Sequence, residues 1–193
     1  MPGDPMELLS RWLEEAGASG NPEPTAMTLS TVGPDGQPSS RIVLLKQISQ
    51  GTLVFFTNYN SRKGREIAVN IRVAANFFWP ELERQVRIEG TVKRIGDDES
   101  GRYFRSRPFE SQISAWASPQ SERIPDRGFL ERAYERFRKK FERAEEVPRP
   151  AHWGGYAMIP SRIEFWRGRS ARLHDRIEYL RVNDRWVMAR LAP

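Results

Sequence analysis

Short strand-like segments separated by turns run through this chain, and they restrict the folds that it can adopt. TAMTLSTV (25–32) alternates as a strand does, GPDGQP (33–38) is a strong turn signal, and SSRIVLLKQI (39–48) reads as the returning strand of a hairpin. The later strand-like segments are interrupted by short helices without forming regular βαβ units, and no glycine-rich nucleotide-binding pattern is present. We therefore expect a mainly β, antiparallel barrel with helical insertions, in the α+β class.

The expected element boundaries follow from capping residues and from hydrophobic spacing. Asp4 can cap a first helix with Pro5 in its first turn, and Ser61 can cap a second helix. A charged segment with apolar residues at helical spacing predicts an amphipathic helix further along. The helices are expected over 4–17, 61–70, 97–108, 110–118 and 126–144. The strands after the hairpin are expected over 52–58, 72–79, 83–95, 156–166, 173–182 and 184–192.

The length and composition fit one globular domain. A chain of 193 residues can bury a sizeable core, and 38% hydrophobic with 29% charged residues is typical of a soluble protein. We expect a single domain over residues 1–193. Its expected parts are an N-terminal helix and loop (1–24), the main barrel strands (25–95), a helical insertion (97–144) and C-terminal strands (153–193).

Composition also disfavours several classes of protein. No apolar run approaches the roughly 20 residues that span a bilayer. The N-terminus lacks the basic and apolar regions of a signal peptide, so we expect a cytoplasmic protein without a membrane partner. The chain contains no cysteine, which excludes disulfides, thiolate catalysis and cysteine-ligated metal.

The charge of the chain points to an anionic partner. The net charge is +6, and arginine rather than lysine supplies most of the basic residues. The planar guanidinium group can donate two parallel hydrogen bonds to a phosphate. Nucleic acid and a phosphorylated small molecule are both compatible with this composition.

One of the two histidines stands in an unusual basic segment, RLHDR (172–176). A metal site is disfavoured there, because a single His–Asp pair flanked by arginines is a poor ligand set, so we expect no metal. A serine-hydrolase triad is disfavoured because no G-x-S-x-G pattern is present. If the segment is a strand, Arg172, His174 and Arg176 share one face. That face is either an anion-binding surface or an ordinary solvated basic surface.

Two other segments carry candidate phosphate donors. Ser61, Arg62 and Lys63 stand at a predicted helix start, where free backbone N–H groups and the helix dipole favour an anion. Tyr103, Arg107 and Ser111 recur every four residues and would share one helix face if the helix continued through Pro108. In each case a solvated surface helix is the competing interpretation.

The chain resembles the pyridoxine (pyridoxamine) 5'-phosphate oxidase family. The resemblance is carried in order by RIVLLK (41–46), FFTNYNSRKG (55–64), LERQVRIEG (82–90), YFRSRPFESQISAWASPQS (103–121), HWGGY (152–156), IEFWRG (163–168) and RLHDR (172–176). It implies an FMN-binding split β-barrel that is a homodimer with FMN at the subunit interface. It also implies oxidation of pyridoxamine or pyridoxine 5'-phosphate to pyridoxal 5'-phosphate, with dioxygen reduced to hydrogen peroxide.

The resemblance also implies roles for individual residues. Arg172 and His174 would act at the ring of the substrate, and Arg172 would position and polarise because a guanidinium stays protonated. The implied FMN contacts are Arg41, Ile42, Val43, Leu44, Leu45, Lys46, Phe56, Thr57, Arg62, Lys63, Gln85, Gln120, Ser121, Trp166 and Arg176. The implied substrate contacts are Lys46, Tyr103, Arg107, Ser111, Arg172, Leu173 and His174.

Three other functions stay open at this point. A related split-barrel FMN oxidase could act on another substrate, as in phenazine biosynthesis, although the full set of phosphate donors favours a B6 vitamer. A flavin or pyridoxal phosphate carrier would use the same binding residues without turnover. A basic nucleic-acid-binding protein is disfavoured, because the arginines are spread among 25 acidic residues and form no basic stripe.

Overall fold

The computed structural model describes residues 3–193. Three of its five α-helices follow one another in the sequence between the sixth and the seventh strand. The α-helices are α1 (Pro5–Ala18), α2 (Arg62–Val69), α3 (Asp97–Arg105), α4 (Phe109–Ala117) and α5 (Arg127–Phe141). The strands are β1 (Ala26–Val32), β2 (Pro38–Leu44), β3 (Gln47–Ser49), β4 (Thr52–Asn58), β5 (Arg72–Trp79), β6 (Arg84–Arg94), β7 (Trp153–Arg167), β8 (Asp175–Val182) and β9 (Arg185–Arg190).

The strands form one curled antiparallel sheet around β7. The order is β2-β1-β5-β6-β7-β4-β3, and β8 pairs with β7 and with β9. The first part of β7 pairs with β4, its second part pairs with β8, and β6 runs along its other edge. The register between β6 and β7 shifts between Glu89 and Gly90, where Ser161 of β7 is the extra residue of a β-bulge. A side chain at Gly90 would overlap the carbonyl of Ile159, so this close approach of the two strands needs glycine.

The main core lies inside the curled sheet and is closed by α1. Asp4 caps this helix by accepting a hydrogen bond from the Met6 N–H at 2.8 Å. Leu9 and Trp12 are buried, and the Trp12 ring meets the Phe165 ring edge-on at 5.1 Å. A second core joins α3, α4 and α5 to the start of β7. The helices are therefore packed beside the N-terminal half of β7.

The predicted antiparallel α+β architecture is confirmed, including the hairpin and the capped helices α1 and α2. The prediction of one strand over 39–48 was wrong. β2 ends at Leu44, where the chain changes its hydrogen-bonding partner: the Leu45 N–H donates to Thr25 and the Lys46 N–H donates to Val54. The residues after this point form β3 and pair with β4.

The structure also corrects two arguments about shared faces. The helix over 97–108 ends at Arg105, and Pro108 precedes α4, because proline lacks the N–H and disfavours helix in the preceding residue. Tyr103, Arg107 and Ser111 are therefore not stacked on one helix. β8 begins only at Asp175, so the strand-face argument for 172–176 was wrong as well.

Within residues 3–193, no helix is long and apolar enough to cross a membrane. The same residues include no group of three or more His, Asp or Glu side chains placed to hold a metal ion.

Candidate functional site

A cleft of about 420 Å³ opens between β2, β4 and the helices that follow them. It brings together residues that are far apart in the sequence. The lining residues are Ile42, Val43, Leu44, Lys46, Phe56, Thr57, Asn58, Lys63, Tyr103, Arg107, Ser114, Ala115, Ser118, Gln120 and Trp153. Ten of these were expected at the site, and we call this opening the main cleft.

Lys63 is a buried cation at the base of the main cleft. It lies in the first turn of α2, and its side chain is only 8% exposed. Its Nζ donates to Gln120 Oε1 at 2.9 Å and to Thr57 Oγ1 at 3.0 Å. Burial and, to a smaller extent, the nearby Arg41 together lower the pKa of the Lys63 ammonium to about 8. Among the described residues no carboxylate pairs with it, so the site suits an anion.

The two arginines expected beside Lys63 do not line the main cleft. Both contact the buried carboxylate of Glu66 on α2. Arg62 Nε donates to Glu66 Oε1 at 2.8 Å, and Arg41 Nη2 donates to Glu66 Oε2 at 3.3 Å. Burial alone would raise the pKa of Glu66, but hydrogen bonds from Thr31, Ser39 and Arg62 outweigh it and lower the pKa to about 2. Glu66 is therefore ionised at neutral pH.

A wall of aromatic rings lies beside a second, half-buried cation in the main cleft. The Phe56 ring stacks on Tyr103 at 3.8 Å and on Trp153 at 5.5 Å. The Arg107 guanidinium lies over the Trp153 ring at 4.6 Å, which is cation–π geometry. Arg107 Nη1 is buried and has no hydrogen-bond partner among the described residues, and burial lowers the pKa of this guanidinium. A buried donor without a partner is costly unless a ligand accepts its hydrogen bond.

Six other expected residues lie at or next to the far end of β7: Gln85, Trp166, Arg172, Leu173, His174 and Arg176. Strand register places Gln85 opposite Trp166 and Trp166 opposite Arg176. The Trp166 ring lies 4.7 Å from the His174 ring, beside an opening of about 410 Å³. The buried carboxylate of Glu164 accepts from Arg176 Nε at 2.7 Å, which fixes the arginine side chain. We call this group the C-terminal cluster.

The geometry of His174 defines which of its ring nitrogens can donate. The Arg169 N–H donates to His174 Nδ1 at 3.2 Å, so Nδ1 carries no proton and the neutral ring is protonated at Nε2. His174 therefore presents a hydrogen-bond donor. The preceding residues form a tight turn, with Ala171 at φ 56° and Arg172 at φ 60°, and Leu173 is 71% exposed. Left-handed backbone is unusual for these residues and is found disproportionately at functional sites.

The main cleft and the C-terminal cluster are separate in one protomer. Trp153 at the start of β7 lines the cleft, and Trp166 near its end belongs to the cluster. An extended strand rises about 3.3 Å per residue, so the two tryptophans lie roughly 40 Å apart along the strand. The openings at the two ends share no lining residue.

Some expected residues lie outside both openings, and some lining residues were not expected. Leu45 is buried in the main core, and neither Ser111 nor Ser121 lines the main cleft. The unexpected lining residues are Asn58, Ser114, Ala115, Ser118 and Trp153. All five stand in segments that carry the family resemblance, and the residues from 114 to 118 belong to the helix that starts after Pro108 and to its C-terminal cap.

Sequence profiles of two regions match this chain. The profile described as pyridoxamine 5'-phosphate oxidase matches residues 13–141. The profile described as the pyridoxine 5'-phosphate oxidase C-terminal dimerisation region matches residues 153–193.

Curated proteins and solved structures agree with these matches. The chain is 53% identical over 192 residues to the pyridoxine/pyridoxamine 5'-phosphate oxidase of Cupriavidus pinatubonensis, covering 99% of this chain and 90% of that protein. It is 54% identical over 191 residues to the enzyme of the same name from Leptospira interrogans, covering 98% and 89%. The crystal structure of PhzG from Burkholderia lata in complex with tetrahydrophenazine-1-carboxylic acid superposes with a TM-score of 0.93 at 32% identity, covering 100% and 94%.

A more distant structure shows the fold alone. An FMN-binding protein related to pyridoxamine 5'-phosphate oxidase, from Nostoc punctiforme, has a TM-score of 0.77 at 16% identity, with 100% of both chains covered. The curled antiparallel sheet with its inserted helices is therefore the split barrel of these flavoproteins. With the profile matches and the identity to curated relatives, it shows that this chain belongs to the pyridoxamine 5'-phosphate oxidase family.

Proposed function

We propose that this protein is an FMN-dependent oxidase that converts pyridoxamine 5'-phosphate and pyridoxine 5'-phosphate to pyridoxal 5'-phosphate. One observation carries the proposal: the main cleft holds a buried cation, Lys63, and a half-buried cation, Arg107, that no carboxylate of the described residues neutralises. FMN and the substrate each carry one phosphate. Two cationic positions and a set of stacked aromatic rings in one cleft fit a pair of phosphorylated ligands whose rings meet there.

The residues around Lys63 fit the phosphate of FMN. The Ser61 hydroxyl accepts from the Gly64 N–H, and the first turn of α2 directs its backbone N–H groups toward the cleft end of the helix. A side chain at Gly64 would overlap the backbone of Tyr59, so α2 packs closely against the preceding turn. The positive charge of Lys63, the nearby hydroxyl groups and the positive end of the helix dipole all favour a bound phosphate.

Arg107 and its neighbours fit the phosphate of the substrate. The guanidinium lies over the Trp153 ring, and its buried Nη1 has no partner within residues 3–193, so a phosphate oxygen would satisfy this donor. Tyr103 lies beside it, and burial raises the pKa of the Tyr103 hydroxyl, which keeps it a donor at neutral pH. Lys46 adds an exposed cation at the mouth. We assign Ser111 to the same group on the resemblance alone.

FMN, when bound, would supply the hydride acceptor, and dioxygen would take up the two electrons to give hydrogen peroxide. The protein binds and orients the two ligands. Arg172 and His174 would hold the ring of the substrate, and the Nε2–H of His174 would donate to the ring nitrogen or to an oxygen substituent of that ring. No side chain of the site has to act as a strong base. The oxidised carbon bears the alcohol in pyridoxine 5'-phosphate, which gives the aldehyde directly. It bears the amine in pyridoxamine 5'-phosphate, where the resulting imine takes up water and releases ammonia to give the same aldehyde.

A homodimer completes the site in this proposal. The main cleft and the C-terminal cluster are at opposite ends of β7, so a two-fold partner can bring the cluster of one subunit to the cleft of the other. The match of residues 153–193 to a dimerisation region supports this arrangement. We infer that FMN lies at the interface, with Lys63 from one subunit and Arg176 from the other.

Complementation between two variants tests both the activity and the shared site. Arg107→Met removes a residue of the main cleft, and Arg172→Ala removes one of the C-terminal cluster. We expect each homodimer to oxidise pyridoxamine 5'-phosphate poorly. A purified heterodimer of the two variants should regain about half of the parent rate, because one of its two sites is intact. A heterodimer as inactive as both homodimers would refute the shared site, and a parent protein without oxidase activity would refute the function.

The phenazine-type alternative is tested in the same assay. The similarity to the PhzG structure makes it a specific competitor. Arg107 favours a phosphorylated substrate, so pyridoxamine without its phosphate should be oxidised far more slowly. Equal rates with and without the phosphate would favour the phenazine-type alternative.

A further inference from the structure

We propose that Glu66 is a positioning residue for the FMN phosphate: it orients Arg41 and Arg62 and sets the charge of their group with Lys63. The inference rests on the proposed FMN site. Glu66 itself lies behind the main cleft and is absent from its lining. Its role would therefore be exerted through other side chains.

Glu66 connects three elements through its hydrogen bonds, next to the Lys63 position: α2, β1 and β2. It lies on α2 and is 5% exposed. It accepts hydrogen bonds from Thr31 of β1 and from Ser39 of β2, the latter at 2.7 Å. The Arg41 guanidinium also donates to the same two hydroxyl oxygens, at 2.6 Å to Ser39 Oγ. The carboxylate thus holds the two hydroxyls and the guanidinium in one network.

Both oxygens of the carboxylate are occupied, and this limits what can replace it. Oε1 accepts from Arg62, and Oε2 accepts from Arg41, Thr31 and Ser39. A glutamine has only one acceptor oxygen and presents an NH₂ group in place of the other. Glu66→Gln must therefore release either Arg62 or Arg41 from its fixed orientation.

The charge of the group matches a phosphate monoester. Arg41, Arg62 and Lys63 are three cations, and the ionised Glu66 reduces their sum to +2. A phosphate monoester carries about −1.5 to −2 at neutral pH. Without Glu66 the three cations would repel one another with no counter-charge in the ligand-free protein. The carboxylate allows them to stay close together before the phosphate arrives.

The charge of Glu66 and its positioning of the arginines predict opposite effects of Glu66→Gln on FMN affinity. A measurement of that affinity therefore separates the two roles. The substitution raises the charge of the group from +2 to +3, and by Coulomb attraction alone it would tighten FMN binding. Loss of the fixed arginine orientation would weaken FMN binding instead. Riboflavin shares the flavin ring and ribityl chain and lacks the phosphate, so it reports on the rest of the site.

The experiment measures the Kd of FMN and of riboflavin by quenching of flavin fluorescence, in the full-length apo-protein and in Glu66→Gln. We expect the FMN Kd to rise about tenfold or more, as for the loss of a charge-assisted contact, while the riboflavin Kd stays near the parent value. Glu15→Gln is the matched control, since Glu15 on α1 pairs with Arg84 and lies outside the cleft lining. It should leave both values unchanged.

Three results would overturn the positioning role. Unchanged FMN affinity would show that the arginines need no support, and tighter FMN binding would show that only charge matters. An equal loss of FMN and riboflavin affinity would assign Glu66 a structural role. A parent protein that does not bind FMN would instead refute the proposed function, which is a different failure.

Discussion

Lys63 should couple FMN binding to pH. In the ligand-free protein the pKa of its ammonium is lowered to about 8 by burial and by Arg41, against an ordinary value of 10.5. A phosphate dianion beside it favours the charged form and raises this pKa. Above pH 8, binding must then take up a proton. We expect FMN affinity to fall by up to tenfold per pH unit above about 8, and Lys63→Met should remove this dependence.

The same lowered pKa of Lys63 predicts that the stability of the apo-protein rises with pH, whereas its FMN affinity falls. The unfolded chain keeps the proton of Lys63 up to about pH 10.5, whereas the folded apo-protein loses it near 8. Between these values the unfolded state binds more protons, so the free energy of unfolding should rise with pH in that window. Each pKa unit corresponds to about 1.4 kcal/mol, so burial of the charge costs at most about 3 kcal/mol at neutral pH.

Lys63→Met should therefore stabilise the apo-protein while it weakens FMN binding. Loss of the hydrogen bonds to Thr57 and Gln120 offsets part of the gain. A net gain of about 1–2 kcal/mol would raise Tm by several degrees in a chain of this size. Thermal melts of apo-protein at pH 7 and titrations with FMN from pH 6 to 10 measure the two effects. A variant that is less stable and still binds FMN with the parent's pH dependence would refute the reasoning.

Three further outcomes are expected. Arg107→Met should raise KM for pyridoxamine 5'-phosphate roughly 10- to 100-fold in steady-state kinetics, because a charge-assisted contact to the phosphate is lost. Arg172→Ala should reduce kcat far more than it changes the FMN Kd, and an unchanged kcat would contradict its role at the substrate ring. Gly64→Ala should lower Tm and weaken FMN binding, because its Cβ would overlap the Tyr59 backbone; a melt and an FMN titration equal to the parent's would contradict that packing.

Local patterns predicted most of the fold. The turn at 33–38 and the caps Asp4 and Ser61 are decided by residues close in sequence, and the structure confirms these elements. The break after Leu44 depends on a change of partner from β1 to β4, which is a contact between distant segments. Alternation along one strand carries no information about which strand it will pair with.

Sequence patterns predicted the functional site less well than they predicted the fold. The spacing of Tyr103 and Arg107 suggested a shared helix face, yet the helix ends at Arg105, shortly before Pro108. Both residues nevertheless line the main cleft. The strand face expected over 172–176 was likewise wrong, because the sequence pattern gave no sign of the turn that precedes β8. Glu66 carried no motif, because its importance comes from partners on three elements. Local patterns named Lys63, Tyr103 and Arg107 as candidate phosphate donors, and the family resemblance named the other expected residues of the cleft.

Anaerobic mixing of the FMN-loaded protein with pyridoxamine 5'-phosphate tests the central claim most directly. The flavin itself reports the arrival of a hydride, because its yellow absorption disappears on two-electron reduction. We predict that the colour bleaches in proportion to substrate added, returns on admission of air, and yields one hydrogen peroxide for each pyridoxal 5'-phosphate formed. A protein-bound flavin that stays yellow with pyridoxamine 5'-phosphate and with pyridoxine 5'-phosphate would contradict the account.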